Sequence, residues 1–103
     1  MMRAGVPIAL FAYDRVDLLA RTLDGLRVNA VPLIYAFSDG PRTDEAAERV
    51  GAVRRLLRAV DWTEVVLAER RENFGLGRSI VAGASTVFER HPLAIVCEDD
   101  LVV

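Results

Sequence analysis

Four short apolar runs, each closed by polar or turn-forming residues, divide the chain. They cover residues 6–13, 31–37, 64–68 and 93–97. The first run is too short for a buried helix and does not alternate between apolar and polar positions, so it predicts a strand covered on both faces. The other three runs are interpreted as strands of the same sheet.

Apolar residues recur at helical spacing in each segment between the runs. Asp14 is expected to cap the first helix, Asn29 to end it, and Thr43 to cap the second. Gly83 within the third helix costs about 1 kcal/mol relative to alanine, which predicts a close approach of that helix to the sheet. The predicted apolar faces are Leu18, Leu19, Leu23 and Leu26; Ala46, Val50, Val53, Leu57 and Val60; and Ile80, Ala84, Val87 and Phe88.

Strand and helix alternate three times before the last strand, which predicts a parallel sheet with right-handed crossovers. The predicted fold is an α/β three-layer open sheet, mostly parallel, with strand order 3-2-1-4 and helices on both faces. Residues 1–103 are interpreted as one domain. In such sheets ligands bind beyond the carboxyl ends of the strands where the strand order reverses, here between the first and fourth strands. Residues 13–15 and 98–100 leave those two strands, and Asp39 leaves the second.

Composition narrows the possible classes of function. The 103 residues are 52% hydrophobic and 27% charged, as in an ordinary globular domain. Thirteen basic and fifteen acidic residues, with no basic cluster, argue against nucleic-acid binding. Cys97 stands alone, which excludes an internal disulfide and fits a reducing compartment. No apolar run reaches the roughly 18 to 20 residues of a membrane helix, and no signal peptide is recognisable, so a cytoplasmic protein is expected.

Glu98, Asp99 and Asp100 are consecutive carboxylates directly after an apolar strand. Their mutual repulsion near a medium of low dielectric raises their pKa values unless a cation is present. Oxygen-only ligands suit Mg²⁺ or Mn²⁺, which bind one or two carboxylates together with substrate phosphates. The alternative is a solvated acidic turn or a helix N-cap.

Three further features each have a functional and a structural interpretation. Asp39 lies in a Ser-Asp-Gly-Pro turn, where it either caps its own backbone or accepts a hydrogen bond from a base N–H. Residues 73–78 are a glycine-rich segment that either presents N–H groups to an anion or is only a flexible helix start. Arg15 either contacts a diphosphate or is an exposed arginine at a helix start.

Residues 8–15 (Ile-Ala-Leu-Phe-Ala-Tyr-Asp-Arg), 37–40 (Phe-Ser-Asp-Gly), 73–77 (Asn-Phe-Gly-Leu-Gly) and 94–101 (Ala-Ile-Val-Cys-Glu-Asp-Asp-Leu) follow one another in this order. This set resembles the amino-terminal half of GT-A glycosyltransferases, near the family 2 type. The Glu-Asp-Asp-Leu ending and the Asp-Arg after the first strand are also similar to N-acetylglucosaminyltransferase I. The resemblance spans nearly the whole chain. It implies a GT-A, Rossmann-like fold and transfer of a sugar from a nucleotide diphosphate to an acceptor hydroxyl.

The resemblance also implies roles for the acidic residues. Asp100 would be the main ligand of Mn²⁺ or Mg²⁺ bridging the donor diphosphate. Asp99 would face the sugar or a metal-bound water, and Glu98 would contact the ribose. Asp39 would bind the uracil N3–H, which favours a UDP-sugar as the donor.

The remaining donor-site residues follow from the same resemblance. Ala12 and Tyr13 would line the base pocket, and Arg15 would approach the phosphates. Asn73 and Gly75 match an Asn-x-Gly segment that lies near the nucleotide in the family. Arg78 would lie beside that segment.

The family places its catalytic base after the metal motif, so the base is expected beyond Val103. The chain is therefore expected to be a donor-binding fragment without turnover of its own, and an open sheet edge would favour self-association. Two other classes stay open: a non-catalytic doubly wound regulatory or interaction domain that binds Mg²⁺, and a sugar-phosphate nucleotidyltransferase. The latter carries a glycine-rich basic loop after the first strand, which residues 14–17 do not form.

Overall fold

The computed structural model describes residues 6–99 and has the predicted alternation of strands and helices. The first strand falls within its apolar run, the other three each end one residue beyond theirs, and each helix occupies a segment with helical spacing. A short 3₁₀ turn, Asp44–Ala46, leads into the second helix. The elements are β1 Ile8–Ala12, α1 Val16–Val28, β2 Leu33–Ser38, α2 Ala47–Arg58, β3 Glu64–Glu69, α3 Leu76–Phe88 and β4 Ile95–Glu98.

The four strands form one parallel sheet in the order β3-β2-β1-β4, which confirms the predicted fold class and strand order. Leu10 of β1 is aligned with Ala36 of β2 and Cys97 of β4. Along the chain, β2 and β3 are therefore added successively on one side of β1, and β4 is added on its other side. The carboxyl ends of β1 and β4 meet at this reversal.

Helices cover both faces of the sheet, as the continuous apolar runs require. On one face, α1 and α2 pack leucine and valine side chains against Leu10 and its neighbours. On the other face, Val87 of α3 packs against a cluster that includes Phe11 and Phe37, whose rings are stacked with their centroids 5.1 Å apart. No helix within residues 6–99 has the length and hydropathy needed to cross a membrane.

Gly83 is the point at which α3 touches the sheet. A Cβ atom built on Gly83 would lie 2.6 Å from Cε1 of Phe11 and 3.0 Å from Cδ2 of Phe37. The predicted close approach is confirmed. The buried face of α3 is Ser79, Gly83 and Val87. The prediction was correct for Val87, and Ile80 is partly buried against the same cluster. It was wrong for Phe88, which is exposed, because the helix turns its smallest residue toward the two phenylalanine rings.

The predicted helix ends were correct in two cases and wrong in one. Thr43 Oγ1 accepts the N–H of Ala46 at 3.2 Å, and Asn29 is the C-cap of α1. Asp14 does not cap α1, whose N-cap is Arg15 without a side-chain hydrogen bond. The Asp14 carboxylate instead accepts a hydrogen bond from Nε of Arg49 at 3.2 Å, so it links the start of α1 to α2.

Candidate functional site

A cleft of about 400 Å³ lies at the carboxyl ends of β1, β2 and β4, where the strand order reverses. Its walls come from the ends of these strands, the loop before α3 and the first turn of α3. This is the position that the topology of an open parallel sheet favours for a ligand. The lining residues are Phe11, Ala12, Tyr13, Asp14, Arg15, Asp39, Arg42, Asn73, Gly75, Leu76, Ser79, Glu98 and Asp99.

Most residues predicted to bind the donor line this cleft. Those that do so are Ala12, Tyr13, Arg15, Asp39, Asn73, Gly75, Glu98 and Asp99. Arg78 is not among the lining residues, because its guanidinium group stacks on Phe74, 4.0 Å from the ring centroid. Asp100, predicted to be the main metal ligand, lies outside the described residues. The acidic end of β4, Asp39 and Arg15 thus face one cleft.

Asp99 joins the end of β4 to the end of β1. Its backbone N–H donates to the carbonyl oxygen of Phe11 at 3.0 Å, and its Oδ2 accepts the N–H of Tyr13 at 2.9 Å. Thr22 of α1 donates its hydroxyl to the Asp99 carbonyl oxygen at 3.2 Å. Glu98 is aligned with Phe11, on the face of the sheet that α3 covers. The two carboxylates therefore have different neighbours, although they are adjacent in sequence.

A metal site is not complete within the described residues. Among residues 6–99, no group of three or more His, Cys, Asp or Glu side chains is arranged to hold a metal ion. Glu98 and Asp99 supply oxygen donors of the type that Mg²⁺ and Mn²⁺ prefer, and both line the cleft. The predicted metal site at Asp99 and Asp100 stays a prediction.

The carboxylate of Asp39 is buried, with 6% of the residue exposed, and it organises the loop before α3. Oδ1 accepts the N–H of Gly40 at 2.9 Å and the N–H of Phe74 at 2.8 Å. Oδ2 accepts the N–H of Gly75 at 3.0 Å and, at 3.4 Å, Nδ2 of Asn73. We call these contacts the Asp39 network. Each carboxylate oxygen already has two donors, so a base N–H could bind here only by displacing one of them.

Arg54 of α2 supports the same region from behind. Its Nε donates to Oγ of Ser38 at 2.9 Å, and its Nη2 lies 2.6 Å from the carbonyl oxygen of Arg70. Nη2 also approaches the carbonyl oxygens of Ser38 and Asp39, at 3.3 Å each. One guanidinium group therefore satisfies carbonyl oxygens where β2 and β3 end. Sequence reasoning missed this role of Arg54.

Two guanidinium groups stack on Phe74, outside the lining of the cleft. The Cζ atom of Arg70 lies 4.3 Å from the ring centroid and that of Arg78 lies 4.0 Å from it. Burial lowers the pKa of Arg70, the nearby Asp39 carboxylate opposes this, and Arg78 lowers it further. The stack holds Phe74 in place beside the loop that Asp39 organises.

Sequence reasoning missed several lining residues, including Phe11, Arg42, Leu76 and Ser79. Arg42 follows the Ser-Asp-Gly-Pro turn, and its N–H donates to the Tyr13 hydroxyl at 2.9 Å. Its position after β2 was a usable signal, because all strand ends meet at this rim. Ser79 lies four residues before Gly83, so the predicted close approach at Gly83 would also have placed Ser79 on the buried face.

Comparison with known proteins adds no relatives. No protein-family model matches the chain, and searches of curated proteins and of solved structures also gave no match. The resemblance to GT-A glycosyltransferases therefore stays a prediction that depends on the residues themselves.

Proposed function

We propose that this chain is the donor-binding part of a GT-A-type glycosyltransferase, which binds a nucleotide-diphosphate sugar through a divalent cation. The observation that carries the proposal is the cleft at the reversal of strand order, lined by eight of the residues chosen from sequence: Ala12, Tyr13, Arg15, Asp39, Asn73, Gly75, Glu98 and Asp99. A cleft with carboxylates at one strand end and arginines at its rim has the chemistry to hold a metal–diphosphate group.

The proposed roles of the lining residues differ between the two sides of the cleft. Glu98 and Asp99, continued by Asp100, supply oxygen ligands for Mg²⁺ or Mn²⁺. Arg15 and Arg42 supply positive charge for phosphate oxygens. When bound, the cation would act as a Lewis acid that stabilises negative charge on the departing diphosphate.

The Asp39 network favours a second candidate function, in which the cleft binds Mg²⁺ but does not recognise a nucleoside. Because four donors already occupy the Asp39 carboxylate, it has no spare acceptor position for a uracil N–H. A Mg²⁺-binding domain without nucleoside specificity would need no such contact. The preference among nucleotides therefore separates the two candidates.

Calorimetry of the chain with UDP and Mn²⁺ tests the metal-dependent step. We expect UDP to bind only when Mn²⁺ is present, and Asp100→Ala to abolish or strongly weaken this binding. Asp61→Ala is the matched control, since Asp61 is an exposed carboxylate outside the cleft lining. Equal binding with and without Mn²⁺, or an unchanged affinity in Asp100→Ala, would overturn the metal assignment.

The nucleotide preference is tested with UDP, CDP, GDP and ADP at one Mn²⁺ concentration. A preference for UDP would support the nucleotide-sugar proposal. It would also require Asp39 to release one of its present donors in order to accept the uracil N–H. Equal affinities for all four would favour the Mg²⁺-binding domain and remove the base contact from Asp39. Asp39 substitutions are unsuitable for this test, because they would also release the loop that lines the cleft.

A further inference from the structure

Ser79 differs from the other buried polar residues of the fold. The residues of this kind within 6–99 are Thr22, Ser38, Asp39 and Ser79. Thr22 donates to a carbonyl oxygen, Ser38 accepts from Arg54, and Asp39 accepts four donors. The Ser79 hydroxyl has no hydrogen-bond partner within residues 6–99, although only 3% of the residue is exposed. Among residues 6–99, Arg70 Nε is the fully buried side-chain atom without a partner, so the Ser79 oxygen is instead reached from the cleft that Ser79 lines.

The same turn of α3 carries backbone donors that point out of the helix start. Gly75, the N-cap of α3, has φ 79° and gives no side-chain cap, and its own N–H is already donated to Asp39. The N–H groups of Leu76, Gly77 and Arg78 have no partner within residues 6–99. Gly75, Leu76 and Ser79 all line the cleft.

We propose that the start of α3 is a phosphate subsite in which the Ser79 hydroxyl and the free N–H groups of residues 76–78 hold a phosphoryl oxygen without help from a metal. Uncapped N–H groups and the positive end of a helix dipole favour an anion at this position. The buried hydroxyl adds a donor that is already in place. The proposal deepens the proposed function, because the phosphate would belong to the nucleotide-sugar donor.

The other charged groups of the cleft determine how strong this subsite is. Asp14 is paired with Arg49, and the Asp39 carboxylate is occupied by its network. Glu98 and Asp99 line the cleft and repel a bare anion, whereas Arg15 and Arg42 attract it. Without a cation the subsite is therefore weak, and a metal at the β4 end would strengthen it.

NMR titration of the whole chain with inorganic pyrophosphate in EDTA tests the subsite alone. We expect saturable shifts of the amide signals of residues 76–78, and none at Gly51 in α2. Uridine, which carries no phosphate, should leave the amides of residues 76–78 unchanged. Shifts confined to the arginines of the rim, or no shift at residues 76–78, would overturn the proposal.

Ser79→Ala and Ser85→Ala are a matched pair on one helix, since Ser85 is exposed and outside the cleft. Ser79→Ala should weaken pyrophosphate binding roughly fivefold to tenfold, and Ser85→Ala should leave it unchanged. Ser79→Ala should also unfold no more easily than the parent chain, because it removes a hydroxyl that makes no hydrogen bond within residues 6–99 and adds a good helix former. An unchanged affinity, or a clear loss of stability, would assign Ser79 a purely structural role.

Glu98→Gln should change ligand affinity in opposite directions in EDTA and in Mg²⁺. In EDTA it should bind pyrophosphate more tightly, because one repelling charge is gone. With Mg²⁺ it should bind UDP more weakly, because one oxygen ligand is neutral. The same sign in both conditions would contradict the charge arrangement described above.

The two proposals fail in different ways. Pyrophosphate shifts at residues 76–78 in EDTA, with UDP binding indifferent to metal and to Asp100→Ala, would keep the phosphate subsite and remove the metal-dependent donor site. Metal-dependent UDP binding that is unchanged in Ser79→Ala would keep the metal-dependent donor site and remove the phosphate subsite.

Discussion

Asp39 and Ser79 are buried polar side chains that line the same cleft, and they differ in how they are held. Four hydrogen bonds occupy the Asp39 carboxylate, and all of them come from residues 40 and 73–75. The Ser79 hydroxyl has none within residues 6–99. The loop before α3, which forms one wall of the cleft, is therefore fixed by its own hydrogen bonds. The first turn of α3, which forms the neighbouring wall, keeps its hydrogen-bond donors available.

This difference separates a residue that builds the cleft from one that can serve a ligand. A saturated carboxylate contributes stability and geometry, and substituting it should be costly to folding. An unsatisfied hydroxyl contributes no stability, and its loss should be felt only in binding. The predictions below test the structural side of this contrast, from the largest expected effect to the smallest.

Asp39→Asn should lower the free energy of unfolding by about 2–4 kcal/mol, because the amide group would face backbone N–H donors that the carboxylate now accepts. Urea unfolding followed by circular dichroism measures this. The exposed Asp61→Asn is the control and should change stability by less than about 0.5 kcal/mol. A loss below about 1 kcal/mol for Asp39→Asn would mean that the Asp39 network does not hold the loop.

Arg54→Met should lower the free energy of unfolding by about 1.5–3 kcal/mol, because it removes the donor to the carbonyl oxygens of Asp39 and Arg70 and to the Ser38 hydroxyl. Arg55→Met, on an exposed position of the same helix, is the matched control. If both variants unfold at the same urea concentration, Arg54 does not support this end of the sheet.

Gly83→Ala should lower the free energy of unfolding by about 1–3 kcal/mol, because its Cβ atom would overlap the Phe11 ring. Gly77→Ala, in the first turn of the same helix, has open space around its Cβ and should stabilise by about 0.5–1 kcal/mol. Thermal unfolding of the two variants should thus move in opposite directions. A shift in the same direction would contradict the tight seating of α3 on the sheet.

Substituting Glu69 should have the smallest effect on stability, and this effect should depend on pH. The hydrogen bond from Arg58 lowers the pKa of Glu69 below its ordinary value of 4.5, and Nε of Arg58 lies 2.7 Å from Oε2. A carboxyl whose pKa is lower in the folded state stabilises the fold above its unfolded pKa and loses this contribution as the pH falls through the folded value. The stability difference between the parent chain and Glu69→Gln should therefore shrink below pH 4.5. A difference that is constant with pH would mean that the pair contributes nothing.

The sequence was sufficient to predict where the cleft lies. Continuous apolar runs separated by helical spacing predict a parallel sheet, and the order β3-β2-β1-β4 brings the ends of β1 and β4 together. Tyr13, Asp39 and Glu98 come directly after or at the end of their strands, so their presence at one rim follows from topology alone.

The contacts within the cleft depend on geometry that the pattern does not contain. Asp39 is bound by residues more than thirty positions away, and only the path of residues 73–75 decides which N–H groups it accepts. The burial of Ser79 depends on the rotation of α3, which the seating of Gly83 on Phe11 determines. Spacing alone predicted Val87 on the buried face but chose Phe88 in place of Ser79 and Gly83, because hydropathy gives serine and glycine no preference for burial.

Cys97 makes the attachment of β4 measurable by thiol alkylation. The residue is 3% exposed in the cluster beneath α1, and burial raises the pKa of its thiol, so alkylating reagents should react with it slowly in the native state. Each modification would need the cluster around Cys97 to open for a moment. The rate of thiol trapping under native conditions would therefore report how often β4 loses its packing in that cluster, and a ligand that bridges the acidic end of β4 to the rest of the cleft would slow that rate.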